Sequence, residues 1–175
     1  MRLLEHRRHS RRDPLGVNLT PAGIRLARRV ATTIGRFDRV VTSPKPRAVE
    51  TAASMGFSVD AEVVGLERMP DEVAARVDEA KPRSFADYAE LVRRSEVVAD
   101  FGRAQAALWA QELARVPEGG RVLLISHGGV IELGTVSAAP AGVEAWGPAL
   151  GYLEGVRLIR ERNRWTGGEV VRVEP

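Results

Sequence analysis

The chain has no cysteine. A disulfide framework and thiolate chemistry are therefore excluded, and so is any metal site built on sulfur. Aromatic residues are scarce, at 5%, which leaves little for stacking on nucleic-acid bases. Long apolar runs are also missing. Nothing approaches the roughly 20 residues needed to cross a bilayer, and after Leu4 no stretch has signal-peptide length. These gaps lead us to expect a soluble, cytoplasmic protein with no membrane partner. The formal charge is only +3, and the pI of 9.9 reflects arginine in place of lysine rather than a large basic excess. The arginines are interspersed with acids, so no nucleic-acid partner is expected.

What is present is an ordinary globular composition, 44% hydrophobic and 28% charged over 175 residues. One domain spanning 1–175 is expected, able to bury about 70% of its unfolded surface. Leu3 and Leu4 open a short strand that Glu5, His6 and Arg7 interrupt, which suggests an exposed edge or a locally reorganised strand. Thr20 and Pro21 read as N-cap and first helical residue. Ile24, Ala27, Val30, Ala31 and Ile34 then follow at helical spacing to Gly35, with Arg28 and Arg29 on the solvated face. Asp38 to Thr42 reads as a strand, Ala48 to Met55 as a helix and Phe57 to Val64 as a further strand.

The acidic stretch 71–79 reads as solvated surface, and one or two helices follow from Ser84 to Val116. The section at about 65–117 is thus expected to form a helical, cap-like layer. Arg121 to Ser126 is the clearest buried strand and leads into a helix from Val130. Gly151 to Ile159 and Glu169 to Val173 close the sheet around a turn at 163–168. Alternating strands and helices predict an α/β fold: three α/β/α layers, with a mainly parallel central sheet and helices on both faces.

Three strand ends carry polar residues out of apolar runs: Arg8 and His9, Ser43 to Arg47, and Ser126 to Gly129. Ligands of open α/β sheets bind beyond the carboxyl ends of strands, near helix N-termini that favour anions. The three segments would meet in one electropositive pocket suited to a phosphoryl group. No cluster of side chains has metal-ligand spacing, so no metal or other cofactor is expected.

These segments resemble the histidine phosphatase (phosphoglycerate mutase-like) superfamily. The matching residues are Arg8, His9 and Ser10 after the first strand, then Leu19, Thr20 and Gly23 at a helix start. Ser43, Pro44, Arg47, Ala48, Thr51 and Ala52 match a third motif, and Ser126 to Gly129 a fourth. The resemblance implies that His9 is a nucleophile forming a phosphohistidine, that Arg8 and Arg47 bind phosphoryl oxygens, and that His127 completes the pocket. It places a proton-donating Glu after the second helix, for which Glu67 fits best, with Asp71, Glu72 and Glu62 as alternatives.

Ser10 stands where the family has glycine, which would put a side chain where backbone normally approaches the phosphate. Asn18 lies too near the helix start to serve as a phosphate-holding Asn. His6 has no motif support and is expected to pack or face solvent. Arg11 and Arg12 read as loop charges, Ser43 and Ser126 as helix caps, and Trp109, Trp146 and Trp165 as packing residues.

The implied activity is metal-independent hydrolysis of a small phosphomonoester through phospho-His9. A compact chain favours hydrolysis over mutase-type transfer. A catalytically weak relative that binds phosphorylated ligands is the alternative. Substrate identity and oligomeric state are not encoded in these motifs.

Overall fold

The computed structural model describes residues 1–139 and 142–174. Six strands form one sheet: β1 (Arg2–Arg8), β2 (Arg39–Thr42), β3 (Ala61–Glu62), β4 (Arg121–Ser126), β5 (Gly155–Glu161) and β6 (Arg164–Val171). Their order across the sheet is β3-β2-β4-β1-β5-β6. β3, β2, β4 and β1 pair in parallel, whereas β5 and β6 add antiparallel. The sheet is mixed but mainly parallel, as expected.

Helices α1 (Pro21–Ile34) and α2 (Pro46–Ser54) cover one face. There Ala27, Val30, Ile34, Ala48 and Ala52 pack on Val40, Leu123 and Ile125. The opposite face carries α5 (Glu96–Ala114) and α6 (Val130–Ala138), where Trp109, Leu113 and Ile131 meet Leu4, Val41, Val122 and Leu124. The period-2 alternation of each strand thus feeds two cores. The expected cap-like section divides: α5 belongs to the layer on the sheet, while α3 (Asp71–Ala80) and α4 (Phe85–Arg94) pack beside it around Val73, Tyr88, Val98 and Leu133. The acidic stretch is therefore an amphipathic helix, with Val73 buried beneath the exposed Asp71 and Glu72.

Three expectations need correction. β1 is an interior strand between β4 and β5, not an edge, and Glu5, His6 and Arg7 are buried in it. They are tolerated because they find partners. The Arg7 Nε donates to Glu5 Oε1 at 2.5 Å, Arg157 Nε donates to Glu5 Oε2 at 2.8 Å, and Arg7 also donates to the Leu153 carbonyl at 2.7 Å. On the other face His6 bonds Ser126 Oγ at 2.7 Å and packs edge-on to Trp109. The third strand shrinks to Ala61–Glu62, because Asp60 turns its carboxylate to the Val40 amide and Phe57 packs on Phe37. The final turn falls at Arg162 and Asn163, whose positive φ values (45° and 67°) suit a two-residue hairpin. As a result β6 begins at Arg164.

Candidate active site

The carboxyl ends of β1, β2 and β4 deliver His9, Ser43 and His127 to one place. Adjacent strands are hydrogen-bonded through their last residues: the His9 amide donates to the Ser126 carbonyl, and the Ser43 amide to the Ile125 carbonyl. α2 starts two residues after Pro44 and carries Arg47 in its first turn, with Pro46 supplying the fixed φ of a first helical residue. A cleft of about 450 Å³ opens here, and Arg8, His9, Arg12, Arg47, His127 and Tyr152 are among the residues that line it.

His9 is only 5% exposed, and its orientation is set from both ring nitrogens. Nδ1 lies 2.7 Å from the Ser10 carbonyl, an acceptor only, so the ring proton sits on Nδ1. Nε2 is then a lone pair, and Arg47 Nε donates to it at 3.2 Å. Burial, followed by the charges of Arg47, Arg8 and Arg12, brings the His9 pKa down to about 4 despite the opposing effect of the Ser10 bond. The imidazole is therefore neutral near pH 7.

His127 faces His9 with ring centroids 5.3 Å apart, and its Nε2 is hydrogen-bonded to the Ser43 hydroxyl (2.8 Å). The Lys45 amide also donates to Ser43 Oγ. Burial first, and then the charge of Arg47, holds the His127 pKa at about 3. Arg8 donates to the Leu150 carbonyl at 2.6 Å and packs against the Tyr152 ring, 4.9 Å from its centroid. Tyr152 also lies 5.8 Å from the His9 ring. Three guanidinium groups and two neutral imidazoles can bind a tetrahedral dianion and present it with a nitrogen nucleophile.

The structure brings together Arg8, His9, Arg47 and His127. Glu67 is not among the residues lining the cleft, although its charge reaches Arg47, which is. Glu67 sits just past a short 3-10 turn (Val64–Leu66), paired to Lys45 Nζ at 2.6 Å. The Lys45 bond, with smaller contributions from Arg68 and Arg47, holds its carboxyl below the usual range. The alternatives Glu62, Asp71 and Glu72 are exposed and do not line the cleft, and Asp71 pairs with Arg68. Arg12 lines the cleft; Arg11 is exposed.

The Ser10 side chain points away from the cleft, donating to the Gly23 carbonyl at 2.7 Å, while its amide donates to Thr51 Oγ1. Gly23 is required there, since a Cβ would lie 2.1 Å from the Arg11 carbonyl oxygen. Ser126 is not a helix cap; its hydroxyl serves His6. Ser43 bonds both the Lys45 amide and His127.

Besides Tyr152, two groups that support the cleft are not expected from the motifs. Glu132, 1% exposed, accepts the Gly129 amide at 2.6 Å and the Leu150 amide at 2.9 Å. It therefore clamps the turn after His127 to the loop that holds Arg8. A Glu three residues after the helix start is a capping signal, and that signal was present. The second is Leu153, buried at φ +60°. This left-handed conformation costs a non-glycine residue about 1–2 kcal/mol. It aims the Leu153 carbonyl at Arg7 and the amide at the Arg8 carbonyl, fixing Tyr152 beside them.

Fold and site together define a class: an α/β protein with a cleft of histidines and arginines at the carboxyl edge of its sheet. A family model narrows this, matching residues 4–167 to the histidine phosphatase superfamily (branch 1). The chain belongs to that superfamily. Among solved structures it resembles phosphoserine phosphatase from Entamoeba histolytica in complex with 3-phosphoglyceric acid, with a TM-score of 0.73, 18% identity and coverage of 99% of this chain and 98% of that one. It also resembles a mycobacterial glucosyl-3-phosphoglycerate phosphatase complexed with VO3, with a TM-score of 0.68, 22% identity and coverage of 99% and 100%. A protein histidine phosphatase complexed with tungstate gives a TM-score of 0.57 at 19% identity, covering 97% and 96%. No curated protein sequence matches the chain.

Proposed function

We propose that this protein is a metal-independent phosphatase that hydrolyses a small phosphomonoester through a phosphohistidine at His9. The observation that carries the reading is the fixed tautomer of His9: Nδ1–H is held by the Ser10 carbonyl, and the Nε2 lone pair is turned to Arg47 in a cleft of arginines. Phosphoryl transfer needs positioning and charge neutralisation above all, and guanidinium forks supply both.

In the first half-reaction Nε2 forms a bond to phosphorus as the phosphorus–oxygen bond to the leaving group breaks. The imidazole becomes cationic, and the Ser10 carbonyl stabilises its Nδ1–H. Arg8, Arg47 and His127 hold the phosphoryl oxygens. The departing oxygen takes a proton, and water then displaces His9 from phosphorus, releasing phosphate and the neutral imidazole.

Glu67 is the donor in this reading. Bound phosphoryl oxygens would compete for Lys45 and Arg47, two cations that hold its carboxyl low, and so free it to carry a proton. Its present pairing with Lys45 is also the observation that favours the second reading, a weak relative that binds phosphorylated ligands without efficient turnover.

The test is hydrolysis of p-nitrophenyl phosphate with acid quenching to trap acid-labile phosphoenzyme. Wild type is expected to turn over and to yield trapped phosphate, and His9→Ala to lose both. Folded wild type that gives neither would overturn the enzymatic reading. Unchanged turnover in Glu67→Gln would remove that residue as donor.

A further inference from the structure

The cleft lining has two chemically different parts. Its cations gather around His9: the charges of Arg8, Arg47 and Arg12 all depress the His9 pKa, and Arg8 and Arg12 that of Arg47. A second part of the lining is built from Met69, Val77, Pro82, Ala149 and Tyr88, contributed by the approach to α3, by α3, by the α3–α4 link, by the loop before β5 and by α4, with Arg8 at its border, held by the Leu150 carbonyl. None of the five carries a charge. Charged side chains on the same elements are engaged or turned outward: Arg68 pairs with Asp71, Arg76 with Glu79, and Lys81 and Arg83 are exposed and do not line the cleft.

Glu132 is the one carboxylate among the lining residues, and each of its oxygens already accepts a backbone amide. It is therefore in no position to recruit an ammonium group. The wall is also held in place. Ala149 donates to the Arg83 carbonyl at 2.8 Å, and Ser84 bridges to Pro148, tying the loop to the α3–α4 link. Met69 lies against Gly129, where a Cβ would meet its terminal methyl at 3.0 Å, and the Tyr88 hydroxyl is close by.

We infer that this wall is a leaving-group subsite, and that the substrate is a phosphomonoester of an uncharged, largely apolar alcohol or phenol rather than one whose leaving group carries a carboxylate. The inference rests on the phosphatase reading above. A carboxylated leaving group would shed hydration against methyl and methylene groups while the nearest lining cation, Arg8, is taken by the phosphoryl oxygens, which is unfavourable. An alkyl or aryl group would bury apolar surface there and gain from it. The Tyr88 hydroxyl is the sole polar side-chain atom this wall offers, enough to meet one hydroxyl or ether oxygen.

The test compares esters of primary alcohols, so that leaving-group chemistry is similar. Hexyl phosphate is expected to exceed O-phosphoserine and 3-phosphoglycerate in kcat/KM by about tenfold or more, the effect of burying two or more methylenes. Equal or better turnover of the carboxylated esters would overturn the inference.

Binding separates this from the catalytic reading. By calorimetry hexylphosphonate should bind more tightly than 3-phosphonopropionate. If it does so while no ester is hydrolysed, the subsite stands and the phosphatase reading falls. If neither phosphonate binds, both fall. Met69→Lys and Val77→Lys, at half-buried positions that can accept a long side chain, should shift the preference toward 3-phosphoglycerate. An unchanged ratio in both folded variants would count against the wall as the subsite.

Discussion

Lowering the pH from 7 to 5 is expected to destabilise this protein steeply, and the size of the effect can be worked from its histidines. The chain has three, and the fold buries all of them, at 0%, 5% and 8% exposure for His6, His9 and His127. Burial brings their pKa values to about 3, about 4 and about 3. The unfolded chain returns each to about 6.5. Between those values the unfolded state binds protons that the folded state refuses, so stability must fall as the pH falls.

From pH 7 to pH 5 each histidine contributes about 1.8 kcal/mol of destabilisation, and the three together about 5.5 kcal/mol, by proton linkage. The figure barely depends on the folded values once they lie below about 4.5, because the folded groups then stay neutral throughout. It compares with a total stability of roughly 5–15 kcal/mol for an ordinary domain. Urea titrations at pH 7, 6 and 5 measure it directly. With a slope of about 2 kcal/mol per molar urea, the midpoint should drop by about 2.8 M.

His6→Gln, which keeps a donor for Ser126, should remove about a third of the drop, since one of three linked protons is gone. Glu132 works in the opposite direction, because burial raises its carboxyl and the folded state gains a proton first. The same titration on Glu132→Gln isolates that offset. A midpoint that moved by less than about 0.5 M in both proteins would refute the claim that these histidines are buried as neutral groups.

The remaining expectations concern the buried charges. Glu5→Leu should cost about 3–5 kcal/mol, because it strands the Arg7 guanidinium in the sheet, whereas Glu5→Leu with Arg7→Met should cost less than the single change. Thermal or urea unfolding of the two variants decides, and an additive double mutant would count against the pairing. Glu132→Gln sets an amide against two amide donors and loosens the loop that holds Arg8. Inhibition by vanadate or inorganic phosphate should weaken by about tenfold or more, the loss expected for a charge-assisted hydrogen bond. Unchanged inhibition would confine Glu132 to an ordinary helix-capping role.

The parts of the site that were legible in the sequence are those built locally. Arg8 and His9 end one strand, Arg47 opens one helix, and His127 follows the most apolar strand, so short-range pattern was enough to bring them together. The parts that were not legible depend on long-range register. Pairing of β1 with β4 sets Arg8 opposite Ser126 and so places the serine hydroxyl over His6, a neighbour no local spacing reveals. Glu132 carries a readable capping signal, yet its second partner, the Leu150 amide, lies 18 residues away. Tyr152 is hidden because the apolar pattern from Gly151 to Ile159 predicts strand where the structure has a turn at Tyr152 and Leu153 before β5. The same kind of error made Glu5 to Arg7 look like an exposed edge: the charges that argued against burial are the ones that neutralise each other once β5 brings in Arg157.

The alternation of β1 has an evolutionary side. Glu5 and Arg7 cannot be lost one at a time without an unpaired charge in the sheet, and Arg7 also holds the Leu153 carbonyl that positions Tyr152 beside Arg8 and His9. A random single replacement at either position would therefore damage folding and the shape of the cleft in the same step. The pair can drift only by concerted change, so homologues should carry either both charges or neither. That makes this segment, rather than the motif residues shared across the superfamily, the stretch by which a lineage of such proteins could be traced.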